Sequence, residues 1–82
     1  MKKTIHSKEH RVLISLLRKI REERGFTQSQ LAKLIESDQT FISKIENSER
    51  RIDLIELRII CNALNQSFLE FVQILESKLK DY

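Results

Sequence analysis

The sequence predicts an all-α fold, and three observations support that prediction. The 82 residues contain no Pro and a single Gly, so few positions interrupt a helix. Leu, Ile, Glu, Lys and Arg, which favour helices, fill the long segments between polar turns. Hydrophobic residues make up 40% and charged residues 33%, as in globular chains, and this length suffices for one modest core. We therefore expect a single domain of short helices joined by tight turns.

The first two predicted helices have clear start and stop signals. The first begins after Ser7, a good N-cap, and runs to Arg24, where Gly25 ends it. Its apolar face consists of Val12, Leu13, Leu16, Leu17 and Ile20. The second begins after Thr27, with Gln30 placed to complete a capping box, and lasts about two turns. Its apolar residues are Leu31, Ala32, Leu34 and Ile35.

A third helix is predicted after a three-residue turn at positions 36–38. Asp38 is its expected N-cap, and the helix runs over residues 39–47. Ile42 and Ile45 share the side that faces a core. The segment from residue 28 to residue 47 therefore consists of a short helix, a short turn and a second short helix.

The last two helices also begin with capping signals. Asp53 and Glu56 form a carboxylate version of the capping box, and Asn65 is a suitable left-handed terminator. Ser67 and Glu70 start the fifth helix in the same way. The apolar positions of the two helices are Leu54, Leu57, Ile60, Cys61 and Leu64, and then Phe68, Phe71, Val72, Leu75 and Leu79. Five helices thus account for nearly the whole chain.

Charge and composition narrow the function. Residues 1–24 hold eight Lys and Arg against three Glu, whereas residues 53–82 hold three against five acidic residues. This asymmetry suits an anionic partner, although a mildly basic face is also common in proteins that bind nothing. No segment approaches the roughly 20 apolar residues of a membrane span, and the N-terminus lacks the pattern of a signal peptide, so we expect a cytoplasmic protein.

Catalytic and metal-binding signals are weak. No nucleophile motif or Gly-rich phosphate loop is visible, so an enzyme is not expected and no cofactor is implied. His6 and His10 have the four-residue spacing of metal ligands on a helix, but without a third ligand we interpret them as exposed side chains. Cys61 has no partner for an intramolecular disulfide and is interpreted as a small buried hydrophobe.

The third predicted helix carries a polar stripe, uncharged except for Lys44, opposite its apolar face. At about 100° per residue, one side collects Gln39, Thr40, Ser43, Lys44 and Asn47. Such side chains can bind base edges or phosphates in the DNA major groove, which admits a helix. A solvated face is the simpler explanation of the stripe alone. The preceding helix and turn, with small Ala32 at the close approach of the two helices, favour a helix-turn-helix at about residues 28–47.

Three stretches carry a family resemblance: "LRKIREERGFTQSQLAKLI", "ISKIENSERR" and "LIELRIICNAL". They resemble the Cro/CI-type helix-turn-helix domains, the xenobiotic-response-element-like family of bacterial and phage transcriptional regulators, over about residues 13–75. The resemblance implies a compact five-helix domain of the lambda-repressor-like type, whose third helix enters the major groove. The domain would span residues 7–79, between a flexible basic arm at 1–6 and a tail at 80–82.

The resemblance also implies roles for individual residues. The positions that face bases are Gln39, Thr40, Ser43 and Lys44. The positions that contact phosphates are Gln28, Asn47, Arg50 and Arg51. Arg21 and Glu46 match a pair that forms a partly buried salt bridge in several relatives, so Glu46 is expected to be structural.

Three departures from the family pattern affect these roles. Glu36 and Ser37 stand in a turn where relatives often have Gly and a hydrophobic residue, and Ser48 stands where many have Gly. A left-handed Glu36 would cost roughly 1–2 kcal/mol, and any other conformation would change the angle between the second and third helices. Phe41 either packs on the second helix, which we favour, or touches a thymine methyl group.

The fifth helix is apolar over a wider arc than one small core requires. Leu69 and Ile74 flank its main apolar face and are the candidate dimer contact, although single exposed apolar residues are common. The resulting hypothesis is a repressor-like homodimer that reads a pseudo-palindromic double-stranded operator. The alternative is a protein-binding module, such as an antitoxin or adaptor, that uses the same fold.

Overall fold

The helices lie where the sequence predicts them. The computed structural model describes residues 5–81, and within that range the elements are α1 (Lys8–Glu23), α2 (Gln28–Leu34), α3 (Gln39–Glu46), α4 (Leu54–Ala63) and α5 (Phe68–Lys80), with no strand. The predicted all-α, five-helix fold is confirmed. Residues 1–4 of the predicted N-terminal arm and residue 82 of the predicted tail lie outside the described range.

Each helix begins at a polar side chain that accepts a hydrogen bond from a backbone N–H three residues ahead. These caps are Ser7, Thr27, Asp38, Asp53 and Ser67, all as predicted. At α2 and α4 the reciprocal bond is also present, because Gln30 and Glu56 accept from the N–H of the capping residue. At each helix start, at least one of the amides that have no acceptor within the helix is satisfied in this way.

The first four helices end in one shared motif. A residue with positive φ follows each helix: Gly25 at 81°, Glu36 at 56°, Ser48 at 57° and Asn65 at 59°. The next amide then donates back over five residues, in the bonds Phe26 to Arg21, Ser37 to Ala32, Glu49 to Lys44 and Gln66 to Cys61. This is the Schellman arrangement, which satisfies the last carbonyls of a helix. Each chain reversal is therefore closed by backbone bonds.

Glu36 takes the left-handed conformation that the sequence analysis considered for it, with φ at 56°. Its N–H donates to the carbonyl of Lys33 at 3.2 Å, and the N–H of Ser37 donates to that of Ala32 at 2.8 Å. A residue with a Cβ is strained by roughly 1–2 kcal/mol at such a φ. The turn between α2 and α3 is therefore closed by the same backbone hydrogen bonds as the other turns. Glu36 is locally strained where a Gly would not be.

The core lies where the five helices meet. Its buried apolar residues are Ile14, Leu16, Leu17, Ile20, Leu31, Ala32, Ile42, Ile45, Leu57, Ile60, Cys61, Leu64 and Phe71. Ala32 is 1% exposed, and its small side chain lets α2 pack closely on α3. Leu34 in the last turn of α2 and Leu54 at the start of α4 are 54% and 65% exposed.

Cys61 behaves as a core residue. Its side chain is fully buried, and burial raises the pKa of its thiol to about 11. The thiol is therefore protonated at neutral pH, which agrees with its interpretation as a small hydrophobe. Over the described range, no helix is both long and apolar enough to cross a membrane.

Candidate nucleic-acid interface

The outer face of α3 is polar and accessible. Ile42 and Ile45 hold the helix to the core and are 2% and 1% exposed. On the opposite side Gln39, Thr40 and Lys44 are exposed and Ser43 is half-buried. Asn47, the C-cap residue, is exposed and donates from Nδ2 to Ser43 Oγ at 3.3 Å. The structure therefore places all four residues predicted to face bases on one surface.

The first residue of α3 is held by the first turn of α2. The Gln39 amide donates from Nε2 to Gln28 Oε1 at 3.3 Å. Its own oxygen accepts from the Ser29 hydroxyl, also at 3.3 Å. Both ends of the Gln39 amide are thus oriented by side chains of the neighbouring helix, while the residue stays exposed.

A buried ion pair ties the C-terminal end of α3 to α1. Arg21 donates from Nε to Glu46 Oε2 at 2.7 Å and from Nη2 to Glu46 Oε1 at 3.0 Å. The two side chains are only 8% and 3% exposed. The remaining Arg21 Nη1 donates to the Phe26 carbonyl in the loop before α2 at 2.6 Å. This two-bond pair joins three parts of the chain and leaves neither charge unpaired in the interior.

Gln28 extends this ion pair to the protein surface. Its Nε2 donates to Glu46 Oε1 at 3.0 Å, while its oxygen accepts from Gln39. A continuous path of hydrogen bonds therefore runs from Arg21 through Glu46 and Gln28 to Gln39. Sequence reasoning assigned Gln28 to phosphate contact alone, because no sequence spacing reveals which side chains meet across α1, α2 and α3.

A second ion pair lies beside the first turn of α3. Arg50 donates from Nη1 to Glu56 Oε1 at 3.0 Å and from Nη2 to Glu56 Oε2 at 2.8 Å. Its Nη1 also donates to the Arg51 carbonyl at 2.7 Å, and its guanidinium lies 4.6 Å from the centre of the Phe41 ring. The hydrogen bond from Arg50 holds the pKa of Glu56 below its ordinary value, and the same bond raises the pKa of Arg50.

Phe41 packs inward as the sequence reasoning favoured. The ring is half-buried and lines an apolar groove with Ile35 at the end of α2 and Ile59 on α4. One face of the ring is covered by Arg50. The loop between α3 and α4 is therefore bound to both helices through the Phe41, Arg50 and Glu56 side chains.

Of the two histidines interpreted as exposed, one is exposed and the other is not. His6 is exposed, but His10 is half-buried, and within the described range its Nε2 has no hydrogen-bond partner. The pKa of His10 is lowered mainly by desolvation, and then by the charges of His6 and Arg51. Residues 5–81 contain no cluster of three or more His, Cys, Asp or Glu side chains suited to a metal ion.

The candidate dimer residues are exposed but do not share a side of α5. Leu69 is 69% and Ile74 is 39% exposed, and five residues of helix separate them by about 140° around the axis. Leu54 and Val72, which the sequence analysis placed among the apolar positions of the last two helices, are also exposed, and so are Ile55 and Ile59. The exposed surfaces of α4 and α5 thus include apolar side chains, whereas the outer face of α3 is polar.

The fold and the polar helix define the class of the protein as a helix-turn-helix domain. A family model described as Helix-turn-helix, HTH_3, matches residues 17–71. The match includes α2, the turn and α3. A search of the curated proteins gives no match to this chain.

Solved structures specify the family further. An XRE-family like protein from Pseudomonas syringae pv. tomato str. DC3000 is 36% identical, with 92% of each chain covered and a TM-score of 0.85. The wild-type restriction-modification controller protein C.Esp1396I is 30% identical over 94% of this chain and 100% of its own, with a TM-score of 0.83. Its tetramer in complex with its natural 35 base-pair operator gives 32% identity, coverage of 88% and 95%, and a TM-score of 0.79.

The chain belongs to the XRE family of helix-turn-helix proteins. It is a DNA-binding transcription regulator and not an enzyme. The family resemblance stated from the sequence is confirmed, and it covers most of the chain.

Proposed function

We propose that the protein is a repressor-like dimer that binds a specific double-stranded DNA sequence and reads its major groove with α3. The observation that carries this proposal is the polar face of α3, exposed on a helix whose other side is fixed in the core. The structural similarity to the controller protein C.Esp1396I, which forms a tetramer on its operator, supports the same class of target. A duplex DNA target implies a cytoplasmic location.

Base reading is assigned to the four side chains predicted from the sequence. Gln39, Thr40, Ser43 and Lys44 supply amide, hydroxyl and ammonium groups, which suit the donors and acceptors of the major groove. Gln39 is the most constrained of these, because Gln28 and Ser29 orient both ends of its amide. We infer that this pre-orientation makes Gln39 the most discriminating contact, since less side-chain freedom is lost on binding.

Phosphate contact is assigned to Gln28, Asn47, Arg50 and Arg51. Gln28 begins α2, and the other three follow the last turn of α3, so the set lies at both ends of the helix-turn-helix. Such contacts fix the register of the protein on DNA and carry no sequence information. They are expected to set the affinity and its dependence on salt.

Dimerisation would place two α3 helices in major grooves about 34 Å apart on a pseudo-palindromic site. Leu69 and Ile74 of α5 remain our candidate contact. Because they lie on different sides of α5, we expect Leu69→Glu and Ile74→Glu to differ in their effect on association. Sedimentation at tens of micromolar measures this, and a wild-type monomer in the presence of its selected duplex would exclude the dimer.

Selection of bound duplexes from a random pool tests the proposal directly. We expect a consensus with two-fold symmetry and an affinity that falls steeply as salt rises, because phosphate contacts release counterions. Lys44→Ala should weaken binding roughly tenfold or more and relax the preference at its base. Lys80→Ala on α5, which packs on α1 and α4, removes the same charge elsewhere and should have little effect.

Two results would contradict the DNA-reading proposal. The first is a pool that yields no consensus, with equal binding of all duplexes. The second is Lys44→Ala and Arg50→Ala variants whose duplex affinity equals that of the wild type. Either result, combined with retention of a specific protein from cell extract and loss of that retention in α5 variants, would favour the adaptor or antitoxin alternative.

A further inference from the structure

We propose that Glu56 sets how strongly the loop between α3 and α4 holds the DNA backbone, by neutralising Arg50. The inference rests on the proposed function, because it requires that this loop approach phosphates. It assigns to Glu56 a role beyond capping α4. Glu56 is a positioning residue in this proposal, since it acts on DNA through Arg50.

The geometry fixes which part of the Arg50 guanidinium remains for a phosphate. Three hydrogen bonds join Nη1 and Nη2 to the Glu56 carboxylate and to the Arg51 carbonyl. A guanidinium has five N–H donors, so the Nε–H and one Nη2–H remain on the edge that faces away from Glu56. The Phe41 ring covers one face of the group. A phosphate would therefore meet a cation whose other edge is already paired with an anion.

This pairing lowers the charge that the loop presents to DNA. The Glu56 carboxylate lies within hydrogen-bond distance of both terminal nitrogens of Arg50, so at longer range the two charges largely cancel. The side chains are 40% and 25% exposed, so water screens the pair and its separation requires little energy. The pair is thus suited to adjusting affinity, whereas Arg21 and Glu46 are enclosed in the core.

The charge of Glu56 is not needed for its capping role. Its backbone N–H donates to Asp53 Oδ1 at 2.7 Å, and its side chain accepts from the Asp53 N–H at 3.0 Å. Gln serves in the third position of a capping box as well as Glu, and it does so here at Gln30 of α2. A neutral amide at position 56 would therefore preserve the helix start while it removes the carboxylate from Arg50.

The test compares Glu56→Gln with Glu49→Gln, which removes an equal charge from an exposed residue of the same loop. The probe is a random-sequence duplex of about 30 base pairs, or three turns of DNA, titrated at several salt concentrations. We expect Glu56→Gln to bind about three- to fivefold more tightly than Glu49→Gln near 0.1 M salt. Its slope of log affinity against log salt should also steepen by up to about 0.9, the value for one additional neutralised phosphate.

The same comparison in a protein that lacks Arg50 shows whether the gain in duplex affinity depends on this residue. In an Arg50→Ala background, Glu56→Gln should give no more than the gain seen with Glu49→Gln in the same background, because the cation that Glu56 neutralises is absent. The gain in the Arg50-containing protein should be equal on the selected operator and on the random duplex, since phosphate contacts carry no sequence information. A merely structural role of Glu56 would produce neither pattern.

Three outcomes overturn the proposal. They are equal affinities of the Glu56→Gln and Glu49→Gln variants, a Glu56→Gln variant that binds more weakly than the wild type, and a gain that persists without Arg50. Thermal melting of each variant shows that the compared proteins are folded. Failure of the wild type to bind any duplex would instead reject the proposed DNA-reading function itself, so the two failures are distinguishable.

Discussion

Two Arg–Glu pairs brace the two ends of α3, and they differ in burial. Arg21 and Glu46 hold its C-terminal end, with the shortest contact at 2.7 Å and side chains 8% and 3% exposed. Arg50 and Glu56 lie beside its first turn through Phe41, with the shortest contact at 2.8 Å and side chains 40% and 25% exposed. Each pair has two hydrogen bonds, made by Nε and Nη2 of Arg21 in the first and by Nη1 and Nη2 of Arg50 in the second. Their surroundings therefore decide what each pair does.

Burial determines how much stability is lost when one residue of either pair is replaced. A buried pair that loses one partner leaves a charge without water or counterion, so the loss is large. A pair at the surface is screened by water and salt, and its loss is small. We infer that the first pair maintains the fold and the aim of α3, while the second adjusts affinity at the surface.

The largest expected effect comes from Glu46→Ala. This change should lower the free energy of unfolding by roughly 3–5 kcal/mol, because Arg21 remains buried without its partner. Urea unfolding measures the loss, and Glu49→Ala, at an exposed Glu of the following loop, serves as the control. Unchanged melting together with a changed preferred DNA sequence would contradict the structural role of Glu46.

Replacing both residues of the buried pair separates its effect on stability from its effect on base preference. Arg21→Met with Glu46→Leu removes both charges, and such replacements of buried pairs are often neutral or stabilising. The double variant should therefore recover much of the stability lost in Glu46→Ala. It still leaves Gln28 without the acceptor that Glu46 provides, so we expect the double variant to show a weaker base preference than the wild type.

An intermediate effect is expected from Gln28→Ala. This variant breaks the path from Glu46 to Gln39 and should cost only about 1 kcal/mol of stability. Selection from a random pool should show a weaker preference at the base that Gln39 reads. Gln73→Ala on α5 removes an exposed amide and is the matched control. A uniform loss of affinity without a change in consensus would indicate phosphate contact alone for Gln28.

The smallest stability effect is expected from Glu56→Gln. We expect a loss below about 1 kcal/mol near neutral pH, because the pair is at the surface and Gln retains the capping bond. Since Arg50 lowers the pKa of Glu56, the contribution of the pair is present at neutral pH and is lost as pH falls through that lowered pKa. Denaturant unfolding of the wild type and of Glu56→Gln should therefore show that the difference in their free energies of unfolding disappears as the pH is lowered. If this difference in stability grew as the pH was lowered, the assigned role of the Arg50–Glu56 pair in stability would be wrong.

The sequence was sufficient for the helices because their signals are local. The capping residues Ser7, Thr27, Asp38, Asp53 and Ser67 each act within three residues of their own position. The polar and apolar sides of α3 follow from helical periodicity, so the exposure of Gln39 and Lys44 was predictable as well. The family motifs then implied which of these side chains meet DNA.

Contacts between helices were not predictable from the same signals. The path from Glu46 through Gln28 to Gln39 joins the end of α3 to its beginning by way of α2. Glu56 reads in sequence as a helix cap alone, although its carboxylate also holds Arg50. Such pairings depend on the angles between packed helices, which periodicity does not specify.

The turn before α3 shows which features the sequence determined and which the tertiary structure decided. Sequence alone determined the five helices, their caps and the polar face, because propensity and periodicity act over a few residues. It left open whether Glu36, where the family often has Gly, would change the turn. The tertiary structure decided that Glu36 takes a positive φ of 56°, since the packing of α2 on α3 requires that chain reversal. The same packing decided which Arg–Glu pair is enclosed and which stays within reach of solvent, because burial belongs to the assembled helices.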